Sequence, residues 1–197
     1  IKELIIAPEV SSEANYTARL QSPVWAGGMR GLTIGLGYDL APQSPLQVQR
    51  DLGGIVPPAQ IERLKKYCGM SGATCKQYEF VLKDIRIAWS QAVKIFYSTS
   101  LRRYAKAAAK VYPELDTLHP YEQTAIIGVV YNRGAAQEGD RRKEMKALVQ
   151  AIKDDNDKLM GALIRQMKRL WNHTQKGLWI RRDKEACYIE MDDTPIE

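Results

Sequence analysis

The sequence predicts an α+β fold that is mostly α, with a small β-hairpin lobe near the N-terminus and a helical lobe built around a buried central helix. Three observations predict it. Gly31-Leu32-Thr33-Ile34-Gly35-Leu36-Gly37-Tyr38-Asp39-Leu40 alternates apolar residues with small or polar ones, the period of a half-buried extended segment. From Ser44 onward the apolar residues recur at helical spacing instead. Ala125, Ile126, Ile127, Val129, Val130 and Tyr131 leave the segment after Pro120 hydrophobic nearly all round, as a helix at the centre of a bundle must be.

The elements follow in order. Residues from about 2 to 20 read as a first helix with a break at Pro8 and a polar island at Ser11-Ser12-Glu13. Gln21 to Arg30 is a loop carrying Pro23, Trp25 and the Gly27-Gly28 pair. In the glycine-rich segment, Leu32, Ile34, Leu36 and Tyr38 fall on one face and Thr33, Gly35, Gly37 and Asp39 on the other. Two glycines leave that second face nearly bare, which marks a close approach to the backbone. Thr33 and Asp39 bracket the bare floor, about 20 Å apart if fully extended and closer if the glycines bend the chain into a hairpin. A carbohydrate cleft and an ordinary Gly-rich hairpin with a surface Asp are both open readings of it.

Ser44-Pro45 is an N-cap followed by proline at the first helical position, and Pro57-Pro58 opens a second helix that stops at Gly69. A short helix over 74–82 and a brief extended link at Ile85-Arg86-Ile87 come next. Ser90 is placed to cap a long helix, Gln91 to Val111, ended by Pro113. The central helix runs from Pro120 to Gly134, and helices at about 140–153, 155–171 and 178–190 complete the chain. Met191 to Glu197 is a polar tail.

Composition bounds the function. The 197 residues suit one domain or a domain with a small lobe, and 45% hydrophobic content is enough for a real core. No apolar run is long enough to span a bilayer, and the start shows no signal-peptide pattern. The reading is of a single domain over residues 1–197, expected to be the C-terminal part of a longer polypeptide. The net charge of +6 favours anionic partners, but basic and acidic residues are interleaved, which argues against a nucleic-acid arm. Cys68, Cys75 and Cys187 show no CxxC, and His119 and His173 lie far from them, so neither a zinc site nor any other cofactor is expected. Cys68 and Cys75 flank a flexible loop, and a bridge and two reduced thiols are both open. There is no Ser-His-Asp pattern, P-loop or GxSxG elbow.

Glycoside hydrolysis needs an acid on one side of the scissile bond and a carboxylate or activated water on the other. Glu13 is the first candidate acid, with Glu9 a competitor one turn earlier. Asp39 is the candidate second carboxylate. The Thr33 hydroxyl, one donor with two acceptor lone pairs, can orient an attacking water.

Glu13 followed about twenty residues later by Thr33-Ile34-Gly35-Leu36-Gly37-Tyr38-Asp39 resembles the catalytic segment of tailed-phage lysozymes and, more closely, of pesticin-like muramidases. In the phage lysozymes the aspartate precedes the threonine; here no acidic residue lies between Asn15 and Thr33, so the chain fits the pesticin pattern. Val129-Val130-Tyr131-Asn132-Arg133-Gly134, Gly139-Asp140-Arg141-Arg142-Lys143-Glu144-Met145, Met167-Lys168-Arg169-Leu170-Trp171 and Gly177-Leu178-Trp179-Ile180-Arg181-Arg182 look like further segments of lysozyme-like domains. The likeness runs from about Glu9 to Glu190 and is loose between Pro42 and Ala88.

That resemblance implies a two-lobed lysozyme-like fold with a cleft between the lobes. It implies cleavage of the β-1,4 bond between N-acetylmuramic acid and N-acetylglucosamine in peptidoglycan. Glu13 becomes the general acid, partly desolvated so that it keeps its proton, with Asp39 opposite and Thr33 placing the water. The arrangement is inverting, with carboxyl groups about 6.5–9.5 Å apart. Arg181 or Arg182 orients Glu13, although a solvated helix face is an equal reading of both. Asn132 bonds sugar or acetamido groups, or else caps its helix. Trp25 stacks on a sugar or covers the core, and Trp171 and Trp179 pack. The expected partners are peptidoglycan and an immunity protein, with no nucleic acid and no membrane span. The expected state is a monomer acting in the bacterial periplasm or at the cell wall, as a bacteriocin, antibacterial effector or phage lysin. A wall-binding module with a silent site is the alternative. A basic nucleic-acid binder, betrayed by steep salt dependence, is the third.

Overall fold

In a computed structural model of the protein, residues 2–6 and 12–191 are described. Glu9, the competing acid, the break at Pro8 and the polar tail beyond Met191 lie outside the described residues. The described residues fall into two compact units, one within Glu9–Arg102 and the other drawn from Ile1–Pro8 and Arg103–Glu197.

The first unit opens with helix α1, Glu13–Arg19, capped by the Ser12 hydroxyl, which accepts the Asn15 N–H at 3.1 Å. Tyr16 is its buried residue, and the Tyr16 hydroxyl donates to the Ile87 carbonyl at 2.8 Å. Three short antiparallel strands follow in the order β1-β2-β3: Val24–Trp25, Leu32–Ile34 and Tyr38–Asp39. Leu32, Ile34, Leu36, Tyr38 and Leu40 are buried while Thr33 and Asp39 are half-buried and Gly37 is exposed, the alternation the sequence predicts. The hairpin turns because Gly35 and Gly37 take φ of 57° and 87°, a left-handed conformation that side chains disfavour.

Helix α2, Pro45–Leu52, starts where expected: the Ser44 hydroxyl accepts the Gln47 N–H at 3.1 Å and Pro45 fills the first turn. Helix α3, Pro58–Lys65, buries Ile61 and Leu64. The helix expected over 74–82 is a 3-10 turn, Ala73–Gln77, running into the short helix α4, Tyr78–Val81. The link at Ile85-Arg86-Ile87 has no regular structure; the Ile87 N–H donates to Gln21 O at 2.9 Å. Helix α5, Trp89–Ile95, begins before Ser90 because the Gln91 side chain, not the serine, accepts the Ala88 N–H at 2.9 Å. A π-helical turn, Phe96–Leu101, interrupts the long helix the sequence predicts; inside it the Thr99 hydroxyl donates to Ile95 O at 2.6 Å, a back-bond of the kind that distorts helices.

The second unit takes up the chain within α6, Arg102–Val111, and continues with a 3-10 turn, Pro113–Thr117, opened by the helix-breaking proline. Helix α7, Pro120–Arg133, is the central one, with six consecutive buried residues from Ala125 to Val130. Its first turn is closed by Glu122, which accepts the His119 N–H at 2.8 Å, and its last by Gly134, whose N–H donates to Val130 O at 2.8 Å. A 3-10 turn, Asp140–Arg142, leads into α8, Lys143–Lys153. Helix α9, Asp157–Gln166, is capped by Asn156 and passes into a 3-10 turn, Met167–Leu170. Helix α10, Lys176–Ile189, packs on α7 and α9, and a π-turn, Lys2–Ile6, lays buried Leu4, Ile5 and Ile6 against α7. The protein is therefore mostly helical with one small antiparallel sheet. Among the described residues no helix is long and apolar enough to cross a membrane.

Candidate functional site

The hairpin turns a shared face into a direct pairing. Thr33 and Asp39 are cross-strand partners, which sets their Cβ atoms about 4.5–5.5 Å apart. The sequence placed both residues on one face; the tight turn at the glycines brings them opposite one another. The Thr33 hydroxyl oxygen is buried and has no hydrogen-bond partner among the described residues. Such a group costs about 1–3 kcal/mol unless a water or ligand satisfies it.

Asp39 has a structural task as well. One carboxylate oxygen accepts the Gly31 N–H at 3.1 Å and the Ala41 N–H at 2.9 Å, clamping both ends of the hairpin. Gly31 is where the chain cannot carry a side chain, since a Cβ there would stand 2.6 Å from the Met70 carbonyl and 2.8 Å from the Ala41 Cβ. Both of those hydrogen bonds fall on the same Asp39 oxygen. Trp25 sits half-buried on β1, its backbone N–H on Glu79 at 2.7 Å and its indole N–H on the Arg30 carbonyl at 3.1 Å. Its ring is thus held by its own loop.

Glu13 departs from expectation. It is exposed, not desolvated. The reason is its place as the first residue of α1, next to the Ser12 cap, on a short helix that buries only Tyr16.

In the helical unit the two candidate arginines are buried, which overturns the reading of a solvated face. Arg181 is 4% exposed and Arg182 0%. Both are held by a carboxylate that the sequence reading did not name, Glu185, itself fully buried. Arg181 Nε stands 3.2 Å from Glu185 Oε1, and Arg182 Nη2 stands 2.9 Å from Oε1 and 2.8 Å from Oε2. Arg181 also donates to the Gly128 carbonyl at 3.4 Å. Burial pushes the Glu185 carboxyl up, against the pull of both arginines, and lowers the Arg182 guanidinium to about 10 against the pull of Glu185. The spacing Arg181-x3-Glu185 and Arg182-x2-Glu185 is the helical ion-pair signature that would have revealed the cluster.

Asn132 does not cap its helix, because Gly134 does. Its side-chain oxygen accepts from Arg182 Nη2 at 3.5 Å. Asn132, Arg133, Arg141, Arg142, Trp171 and Leu178 line a cavity of about 260 Å³. Trp171, expected only to pack, lies between cations, with the Arg133 guanidinium 5.4 Å and that of Arg182 5.8 Å from its ring centre. Trp179 is half-buried, its indole N–H on the Trp171 carbonyl at 3.3 Å. Cys68, Cys75 and Cys187 are free thiols.

Hairpin and cavity belong to an α+β, mostly helical protein whose polar chemistry is concentrated in a glycine turn and a basic helical pocket. Residues 9–172 match the family described as a domain of unknown function (DUF8812), and the chain belongs to that family. No curated protein matches it.

Proposed function

We propose that the protein is a peptidoglycan hydrolase, a muramidase that cuts the β-1,4 bond between N-acetylmuramic acid and N-acetylglucosamine with inversion. The observation that carries this reading is the pairing of Thr33 with Asp39 on the hairpin, with a threonine hydroxyl that lacks a partner among the described residues. A water bound to that hydroxyl and to the outer Asp39 oxygen is oriented for attack on an anomeric carbon. Asp39 takes the proton the water loses. Glu13 gives its proton to the departing sugar oxygen, so charge balances across the step. Such an enzyme would act on the bacterial wall as a lysin, bacteriocin or antibacterial effector, and an immunity protein is its natural counterpart. The positive net charge suits an anionic wall polymer.

The test is lysis of purified peptidoglycan, with mass spectrometry of the products to identify the bond cut. Glu13→Gln should lower the rate by about 10²–10⁴-fold. Lysis at the wild-type rate removes Glu13 from the reaction. Two observations favour a second reading, a wall-binding module with a silent site: Glu13 is exposed, and Asp39 already serves as a backbone clamp. That reading expects co-sedimentation with peptidoglycan and no new reducing ends.

A further inference from the structure

We propose that the cavity bounded by Asn132, Arg133, Arg141, Arg142 and Trp171 is an oxyanion site, built to take one carboxylate or phosphate group of a ligand. Its charge is unbalanced. Three guanidinium groups line it, and Arg182 adds a fourth, reaching the same wall through Asn132 and the Trp171 ring. Three nearby carboxylates are engaged with other arginines. Glu185 holds Arg181 and Arg182, while Glu144 and Asp140 both hold Arg169, at 2.5 Å and 2.9 Å. Arg133, Arg141 and Arg142 have no carboxylate within 4.0 Å among the described residues.

The donors of these arginines are poorly matched instead. Arg133 Nε and Arg142 Nη1 both point at the Met145 sulfur, each at 3.4 Å. A thioether is a weak acceptor, and two guanidinium groups on one sulfur is a poor use of the strongest donors a protein carries. Arg133 also donates to the Arg141 backbone carbonyl, which fixes its plane but cancels no charge. Burial, then repulsion from Arg142 and Arg182, brings Arg133 down to about 10. A bound anion reverses that repulsion and gives the guanidinium forks the planar oxygens they fit. The cavity volume suits a small anionic group and not a length of glycan. Leu178 and the Trp171 ring are the apolar part of its lining.

One chemistry has two sources here: a carboxylate of a wall stem peptide, or a free phosphate group. The inference stands apart from the lytic reading, because its test measures binding and not turnover. Sodium phosphate, and separately a soluble wall stem peptide, are titrated into the full chain at constant ionic strength, with sodium chloride as reference. Binding is read from tryptophan fluorescence and from the thermal midpoint. At least one of the two probes is expected to saturate the signal and raise the midpoint where chloride does not. Arg141→Gln and Arg142→Gln, at exposed and half-buried positions, should each weaken that binding by about tenfold or more. Trp171→Phe should remove most of the fluorescence change, which assigns the signal to the tryptophan that lines the cavity. A response to the peptide identifies the wall as the source, and a response to phosphate alone identifies free phosphate. Equal responses to chloride, or saturation unchanged in both arginine variants, overturn the proposal.

Discussion

The two units of the protein treat polar groups in opposite ways. In the hairpin unit, charge stays at the surface and polar atoms bond to nearby backbone: Asp39 to Gly31 and Ala41, Ser12 to Asn15, Trp25 to Arg30. In the helical unit, Arg181, Arg182 and Glu185 lie in the interior, and more positive charge gathers around a cavity than the nearby carboxylates cancel. The hairpin's polar residues shape a turn, so loss of one is a local matter. Those of the helical unit are bound to its core, where an unpaired charge has no water to fall back on.

The largest effect that would sharpen this contrast is at Glu185. Glu185→Ala leaves two buried guanidinium groups without their carboxylate and should cost about 3–5 kcal/mol in denaturant unfolding. A loss under about 1 kcal/mol would mean that the arginines find water or another partner, and the contrast would fail. In the other unit, Gly31→Ala sets a methyl group against the Met70 carbonyl and should cost about 1–3 kcal/mol.

Asp39 separates structure from chemistry. Asp39→Ala removes the acceptor for two backbone N–H groups and should cost about 1–3 kcal/mol. Asp39→Asn keeps an oxygen acceptor and removes the charge. It should unfold close to wild type while wall lysis falls by about 10²-fold or more. Equal loss of stability and activity in both variants would reduce Asp39 to a clamp.

The smallest effect concerns Glu122, buried at the start of α7. Burial pushes its carboxyl up, and the charges of Asp157 and Asp155 push the same way against the His119 N–H. The folded state therefore holds a proton on Glu122 more tightly than the unfolded chain does. Its contribution to stability is full below the ordinary carboxylate range and is lost as pH rises through the raised value. Glu122→Gln, which retains an oxygen for the His119 N–H, should be more stable than wild type at neutral pH. The difference should shrink toward acid pH, as a series of unfolding curves will read.

Much of the hairpin was legible because its cause is periodic. Alternation from Leu32 to Leu40 fixes which residues are buried whatever the exact turn. The Thr33–Asp39 register was not legible, since it depends on where Gly35 and Gly37 turn the chain. The central helix was legible from its apolar circumference and from Pro120 and Gly134 at its ends. Helix α10 was legible but its inward face was not, for a physical reason: Ile180 is 55% exposed while the two arginines beside it are buried, the reverse of what hydropathy expects. The carboxylate of Glu185, within reach of both guanidinium groups, helps make that inversion tolerable. The exposure of Glu13 was likewise hidden, because it depends on where the helix begins and not on which residues it contains.

Arg181, Arg182 and Glu185 lie within two turns of one helix. Their mutual attraction forms as soon as that segment coils, without waiting for a distant part of the chain. The three side chains can then be carried inward with part of their charge already paired, not as separate ions meeting in a dry interior. A helix-breaking substitution such as Asp183→Pro, set among the three, should weaken the native state and, where this local pairing forms early, slow refolding as well.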